Sequence, residues 1–378
     1  MSTARDPFTY LDANATEPLR PQALAAMTEA AQMAGNPSSV HRAGRAARAM
    51  LEAAREDVAM LFGVQPDNCV FTSGGTEANV LAMTGQAGGR RILVGATEHD
   101  AVRQALPATT VPVTPDGVVD RIALERLLAV PDAAPALVCI MLANNETGVI
   151  NPMREIANLC HAHGALLHVD AVQAAGRIAF DVAGLGADSV AVSGHKFGGP
   201  KGAGALLLAG ERFCAIPPRL AGGGQEQGRR GGTPALPAIT GMAAAARVAV
   251  ADMAVQAARL GAWRARIEAA AVAAGAMVCG GAAARLANTT CLLLPGRRAQ
   301  TQLIALDIAG YGVSAGAACS SGKVTRSHVL EAMGLGEDAG CAIRVSLPWS
   351  VTGAGVDGFI AAYTAMARRL PAPRGVVA

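Results

Sequence analysis

The stretch Asp188-Ser189-Val190-Ala191-Val192-Ser193-Gly194-His195-Lys196 decides how this chain is read. Its apolar run has the length and β-branched content of a buried strand, and the strand ends at once in a histidine and a lysine. The lysine is conspicuous. Of 32 basic residues only Lys196, Lys201 and Lys323 are lysine, and the other 29 are arginine. Lysine is normally among the commonest residues, so arginine has displaced it nearly everywhere. Arginine stays protonated and forms no Schiff base, whereas a desolvated lysine amine loses its proton and attacks a carbonyl. On the count alone, chance retention at a packing or surface position is an equal alternative.

Working outward, the same strand-then-polar-end pattern recurs. Leu166–Gln173 reads as a strand carrying Asp170 at its end, and 26 residues, close to one crossover unit, separate Asp170 from Lys196. Ala136–Leu142 runs into the polar turn Ala143-Asn144-Asn145-Glu146-Thr147-Gly148, and Arg91–Gly95 ends at Thr97-Glu98-His99. Asn68–Thr72 meets Ser73-Gly74-Gly75-Thr76 and a helix-forming stretch. A helix start with exposed backbone N–H groups and a hydroxyl suits a phosphate, although an ordinary strand–helix turn reads the same way. It is neither the dinucleotide fingerprint nor a P-loop. Apolar strands alternating with helical segments from residue 68 to about 210 predict an α/β domain with a mainly parallel sheet. In such sheets ligands sit beyond the carboxyl ends of the strands.

At 378 residues the chain exceeds what one core usually serves, which predicts two domains. The expected division is a large domain over 16–254 and a smaller α+β domain from 1–15 and 255–378. A net charge of +3 with 16% charged residues gives no footprint for nucleic acid or an anionic membrane. Neither a signal-peptide core at the start nor an uninterrupted membrane-length apolar run is seen, so a soluble, cytoplasmic protein is expected. The eight cysteines include no Cys-x-x-Cys pair, and most lie in apolar runs as small buried hydrophobes. Cys319 differs: it lies among Gly316, Ala317, Ala318, Ser320, Ser321 and Gly322, with Lys323 and Arg326 near enough to favour a thiolate. His161 and His163, two positions apart on one helix, do not face together, which argues against a metal site. Helices are expected from Pro21 to Met33, from a cap at Ser38 or Ser39 past Leu61 with His41 and Arg42 in its first turn, and from Ala235 to about Ala274. The Gly- and Arg-rich segment between Pro217 and Pro237 is long enough to suggest a functional loop.

Thr76, His99, Asn145, Asp170, Gln173, Ser193, His195 and Lys196 include what pyridoxal phosphate needs. An amine takes the aldehyde, a carboxylate keeps the ring nitrogen protonated, a flat side chain stacks on the ring, and hydroxyls at a helix start take the phosphate. The chain resembles the cysteine desulfurases (NifS/IscS-like) within the class V aminotransferase group of fold-type I pyridoxal-phosphate enzymes. The resemblance runs nearly end to end. It is carried by Tyr10-Leu11-Asp12, Gly35-Asn36-Pro37-Ser38, Thr72–Glu77, Glu98-His99, Asn144–Gly148, His168-Val169-Asp170, Ser193–Lys196, the Gly222–Thr233 loop and Ser314–Cys319.

That resemblance implies a large domain with a mainly parallel seven-stranded sheet flanked by helices. It implies that Lys196 holds the cofactor and moves protons, Asp170 pairs with the ring nitrogen, Gln173 bonds the ring hydroxyl, and His99 stacks and assists proton transfer. Gly75, Thr76, Ser193 and His195 would bind the phosphate, joined by Thr233 from a second subunit of a homodimer. Asn145 would contact cofactor and substrate, and with Arg344 would position the substrate carboxylate, a task that suits a planar guanidinium; without the resemblance Arg344 reads as a structural ion pair. Cys319, on a loop over about 314–326, would take sulfur from L-cysteine as a persulfide, leaving L-alanine. The sulfur would pass to an acceptor protein for iron–sulfur cluster or related biosynthesis. Selenocysteine lyase or class V aminotransferase activity is the nearest alternative, followed by a catalytically silent binding partner and a nicotinamide enzyme. The chain departs from the family pattern at Glu17, commonly threonine, and at Ala315 and Ala317, commonly serine. Its end at Ala378 suggests that the longer scaffold-docking tail of housekeeping members is lacking.

Overall fold

The structure, a computed structural model, describes residues 8–210, 215–316 and 326–370. The described chain enters as a two-residue strand, β1 (Thr9–Tyr10), and then builds the large sheet from β2 (Cys69–Thr72), β3 (Arg91–Gly95), β4 (Thr109–Val111), β5 (Ala136–Met141), β6 (Leu166–Asp170), β7 (Ser189–Ser193) and β8 (Gly204–Leu208). The spatial order is β2-β8-β7-β6-β5-β3-β4. Only β8 runs against the others. Every residue of β5, β7 and β8 is buried. Strands covered by helices on both faces read as continuous apolar runs rather than alternating ones, which is why these segments stand out in the sequence. Each fully buried side chain such as Ile140 or Leu167 contributes about 1.5–3 kcal/mol.

The rest of the chain adds β9 (Met277–Val278), β10 (Thr289–Leu293), β11 (Tyr311–Gly312) and β12 (Ala342–Ser346). They form a three-stranded antiparallel sheet, β12-β10-β9, and a short parallel pair of β1 with β11. A second apolar core gathers here around Leu292, Ile343, Phe359 and Tyr363. One helix, Leu236–Ala273, serves both cores: Met242, Ala245 and Ala249 pack on the large sheet, while Leu260, Ile267 and Ala271 pack on the small one. By length and composition this helix would also span a membrane, but Arg247 and Asp252 interrupt it and its apolar residues fill these two cores.

Local boundaries differ from expectation at one helix. Neither Ser38 nor Ser39 caps Arg42–Leu61; the His41 side chain does, accepting from Gly44 N, and the helix stops at Leu61 rather than continuing. Gly44 lies against Ser39, where a Cβ would meet the Ser39 carbonyl oxygen at 2.3 Å, so the chain turns there before it coils.

Candidate active site

Strand order reverses between β3 and β5, where the chain moves out to β4 and returns on the other side of β3. The carboxyl ends of β2, β3, β5, β6 and β7 open there into a cleft of about 310 Å³. Gly75, Thr76, His99, Asn145, Asp170, Gln173, Ser193, His195 and Lys196 all line it, so nine of the residues singled out in the sequence meet in one cavity.

Lys196 ends a single 3-10 turn, Gly194–Lys196, directly after β7. Gly194 is required there because a Cβ would come within 2.8 Å of Met242 on the long helix. The turn aims Lys196 Nζ at two backbone carbonyls, Asn14 O at 2.6 Å and Ala15 O at 3.0 Å. Asp170 is buried, with Oδ1 accepting from Val172 N at 2.9 Å and Oδ2 from Asn79 Nδ2 at 2.8 Å. Burial raises its pKa, opposed by the Val172 N–H, His99, Asn79 and Lys196. A second carboxyl, Glu98, lies behind it: burial and then the charge of Asp170 push its pKa well up, and Oε2 has no partner among the described residues.

His99 Nδ1 accepts the Ala101 N–H at 3.1 Å, which leaves the ring proton on Nε2. At the other end of the cleft the helix Gly75–Gln86 begins without a side-chain cap, beside Thr76, Ser193 and His195. Gly75 allows this approach; a Cβ there would meet Val172 Cγ2 at 2.6 Å. Burial, aided by Lys196, Lys201 and Arg177, lowers the His195 pKa to about 4, so its imidazole is neutral and bonds Thr16 Oγ1 at 3.2 Å. Backbone donors, hydroxyls and a neutral imidazole at a helix start suit a phosphate dianion.

Two expected residues lie elsewhere. Arg344 is buried, with Nη2 on Asp12 Oδ1 at 2.6 Å and Nη1 on Asn145 O at 3.1 Å, so it reaches the cleft through Asn145. Thr233 lines a separate pocket with Phe71, Glu226 and Arg230. Cys319 and Lys323 lie outside the described residues. His161 bonds Asp188 at 3.1 Å, and among the described residues no metal-binding cluster exists. Sequence reasoning missed Asn14. Its carbonyl takes both Lys196 Nζ and Gln173 Nε2, and its side chain joins Thr289 and the Asn145 carbonyl. A lone Asn in a polar turn gives no hint of this.

A parallel sheet with an amine, a buried carboxylate and an uncapped helix start at one edge defines the fold-type I transferase class. Comparison with known proteins makes that specific: the chain belongs to the aminotransferase class-V family, whose model matches residues 9–359. It is 38% identical over 373 residues to a protein of Mycobacterium tuberculosis (strain ATCC 25618 / H37Rv) named IscS-like cysteine desulfurase, covering 93% of this chain and 94% of that one. It is 39% identical over 366 residues to a cysteine desulfurase of Cereibacter sphaeroides, covering 92% of each. A solved NifS-like protein from Rickettsia africae superposes with a TM-score of 0.88 at 32% identity, covering 95% of this chain and 99% of that one.

Proposed function

We propose that this chain is a pyridoxal-phosphate-dependent cysteine desulfurase, converting L-cysteine to L-alanine and carrying the sulfur as a persulfide on Cys319. The observation that carries the reading is the meeting of Lys196 Nζ, buried Asp170 and the uncapped helix start at Gly75 in one cavity. Relatives named cysteine desulfurase, aligned over nearly the whole chain, support it.

The residues fit the cofactor. Asp170 is a buried carboxylate whose partners are all donors or cations, the environment a protonated ring nitrogen completes. Gly75, Thr76, Ser193 and His195 would hold the phosphate, and Lys196 the aldehyde carbon. Gln173 would bond the ring hydroxyl, its amide set by Asn14 O and Arg177. When bound, pyridoxal phosphate supplies an electron sink that makes the substrate Cα proton acidic and the Cβ–S bond labile.

Lys196 Nζ moves the Cα proton, held in place by Asn14 O and Ala15 O. His99, with its proton on Nε2, would stack on the ring and assist that transfer. Asn145 and Arg344 orient the substrate carboxylate, with Arg344 Nη1 fixing the Asn145 carbonyl at the cleft wall. Cys319 Sγ, as thiolate, attacks the substrate sulfur: the S–S bond forms as the Cβ–S bond breaks, and its electron pair leaves with the three-carbon fragment that becomes alanine. The reading further includes a cytoplasmic homodimer in which Thr233 completes the partner's phosphate site, and a large domain over 16–254 joined to a small one from 1–15 and 255–378. The persulfide passes to an acceptor protein serving iron–sulfur cluster or related biosynthesis.

The test is incubation with L-cysteine and a reductant, scoring alanine and sulfide together. Cys319→Ala is expected to keep the absorbance of the bound cofactor and lose sulfide release. A parental rate in that variant refutes the assignment of the sulfur-accepting thiol.

A further inference from the structure

Behind the cleft runs a line of buried polar side chains that none of these roles uses. Asn79 Nδ2 donates to Asp170 Oδ2 at 2.8 Å, and Asn79 Oδ1 lies 2.8 Å from His168 Nε2. His168 Nδ1 lies 2.8 Å from Ser189 Oγ, which lies 2.9 Å from Gln86 Oε1. His168 and Ser189 are 0% exposed, Asn79 1% and Gln86 8%. The fold assembles them: His168 and Asp170 share one face of β6, Ser189 is the register partner of His168 on β7, and Asn79 and Gln86 lie seven residues apart on the helix above. So many polar groups between sheet and helix are costly unless every one is paired.

Counting protons gives the line a direction. The Asn79 amide nitrogen is committed to Asp170, so its oxygen must accept, and His168 must donate from Nε2. A neutral ring then accepts at Nδ1, which takes the one proton of Ser189. In the structure Gln86 Oε1 faces Ser189 Oγ; with the Ser189 proton directed to His168, the Gln86 amide must turn over, exchanging two atoms of nearly equal size, to donate from Nε2. The alternative, a cationic His168 donating from both nitrogens, is opposed by burial, which lowers its pKa to about 4.

We propose that Gln86, Ser189, His168 and Asn79 are positioning residues for Asp170, forming an oriented donor chain whose last N–H fixes the carboxylate and keeps it ionised for a protonated ring nitrogen. The inference rests on the reading of Asp170 as the partner of that nitrogen.

Two measurements test it. In apo protein carrying 15N-histidine, long-range proton–nitrogen correlation at neutral pH should show His168 protonated at Nε2 alone, picked out of seven histidines by its shift in Ser189→Ala. Protonation at both nitrogens, or at Nδ1 alone, overturns the proposal. Apo protein is then titrated with pyridoxal 5'-phosphate. Ser189→Ala, which lies outside the cleft lining, should weaken binding about five-fold, the size of one hydrogen bond, and should have no effect in an Asp170→Asn background. Equal weakening in both backgrounds, or none in the first, overturns the relay. Parental affinity in Asp170→Asn alone refutes the reading of Asp170 itself, and the relay loses its purpose with it.

Discussion

Replacing Glu226 by alanine should unfold the chain more easily than any surface change, because it leaves a buried cation with only the half-exposed Glu52, whose Oε2 lies 2.9 Å from Arg55 Nε. Glu226 Oε1 and Oε2 grip Arg55 Nη2 and Nη1 at 2.8 and 2.7 Å, and Oε2 also accepts from Phe71 N at 2.8 Å. The side chains of the pair are 7% and 3% exposed. Arg55 further donates to Cys69 O at 2.8 Å and lies over the Phe71 ring at 4.7 Å, so it cannot swing out to water without leaving β2. Glu226 also holds a φ of 50°, a left-handed conformation that disfavours non-glycine residues and persists only because this grip over-determines it. Removing one partner of such a pair costs about 3–5 kcal/mol, whereas replacing both by apolar residues of similar volume is close to neutral. Urea unfolding should therefore show Glu226→Ala destabilised by about 4 kcal/mol and Arg55→Met/Glu226→Leu within about 2 kcal/mol of the parent. The single variant should also bind pyridoxal phosphate more weakly, since the loop Gly222–Thr233 hangs on this grip. A single-variant loss below about 1 kcal/mol, or a double variant as damaged as the single, refutes the reasoning.

The remaining expectations are more local. Gly75→Ala should weaken cofactor binding and cost about 1–3 kcal/mol by overpacking against Val172, with Gly75→Ala/Val172→Ala recovering much of it in the same titration. His168 and His195 both have pKa values lowered to about 4 from 6.5, so the unfolded state binds the extra protons between those values, and the stability present above pH 6.5 is lost as pH falls toward 4. Glu17, raised to about 7 by burial, works the other way: the folded state keeps its proton between pH 4.5 and 7, and stability drops as pH rises through that window. The buried carboxyls Glu98, Glu146 and Asp170 are raised in the same direction as Glu17 and add to its side of the balance, so the histidine share is read as a difference between variants. Urea unfolding between pH 5 and 6.5 should show stability climbing less steeply, or falling more steeply, with pH in His168→Gln than in the parent, by up to about 1.4 kcal/mol per unit; equal slopes in the two proteins contradict the lowered His168 pKa. Lys196→Ala should lose the cofactor's characteristic absorbance while its far-ultraviolet circular dichroism stays parental, and retention of that absorbance excludes Lys196 as the attachment point.

How much of this was legible in the sequence follows from the range of the forces involved. The central strands were visible because β5, β7 and β8 are buried throughout, so burial writes itself as an unbroken apolar run. Placing Thr76, His99, Asn145, Asp170 and Lys196 at one edge then needed only the rule that parallel strands share a direction. The reversed direction of β8 had no such signal, since Gly204–Leu208 reads the same either way. The cap at His41 was hidden by better capping residues at 38 and 39, which the close approach of Gly44 to Ser39 takes out of position.

The connections that were illegible share a physical reason. Glu226 meets Arg55 across 171 residues, Asn14 meets Thr289 across 275, and Arg344 meets Asp12 across 332. Each is a polar residue that propensity treats as solvated, Glu226 and Asn14 within polar turns and Arg344 within the apolar strand β12. Each becomes expensive to leave unpaired once the elements dock, and the docking, not the local sequence, supplies the partner. Lys196 shows the two kinds of information together: its chemistry is announced by the scarcity of lysine, but the carbonyls that hold its amine belong to Asn14 and Ala15, on a segment that also hydrogen-bonds β10 and β12. The amine at the centre of the cleft is thus held by the strip of chain that joins the two cores, and a change at that seam is felt at the lysine without touching it.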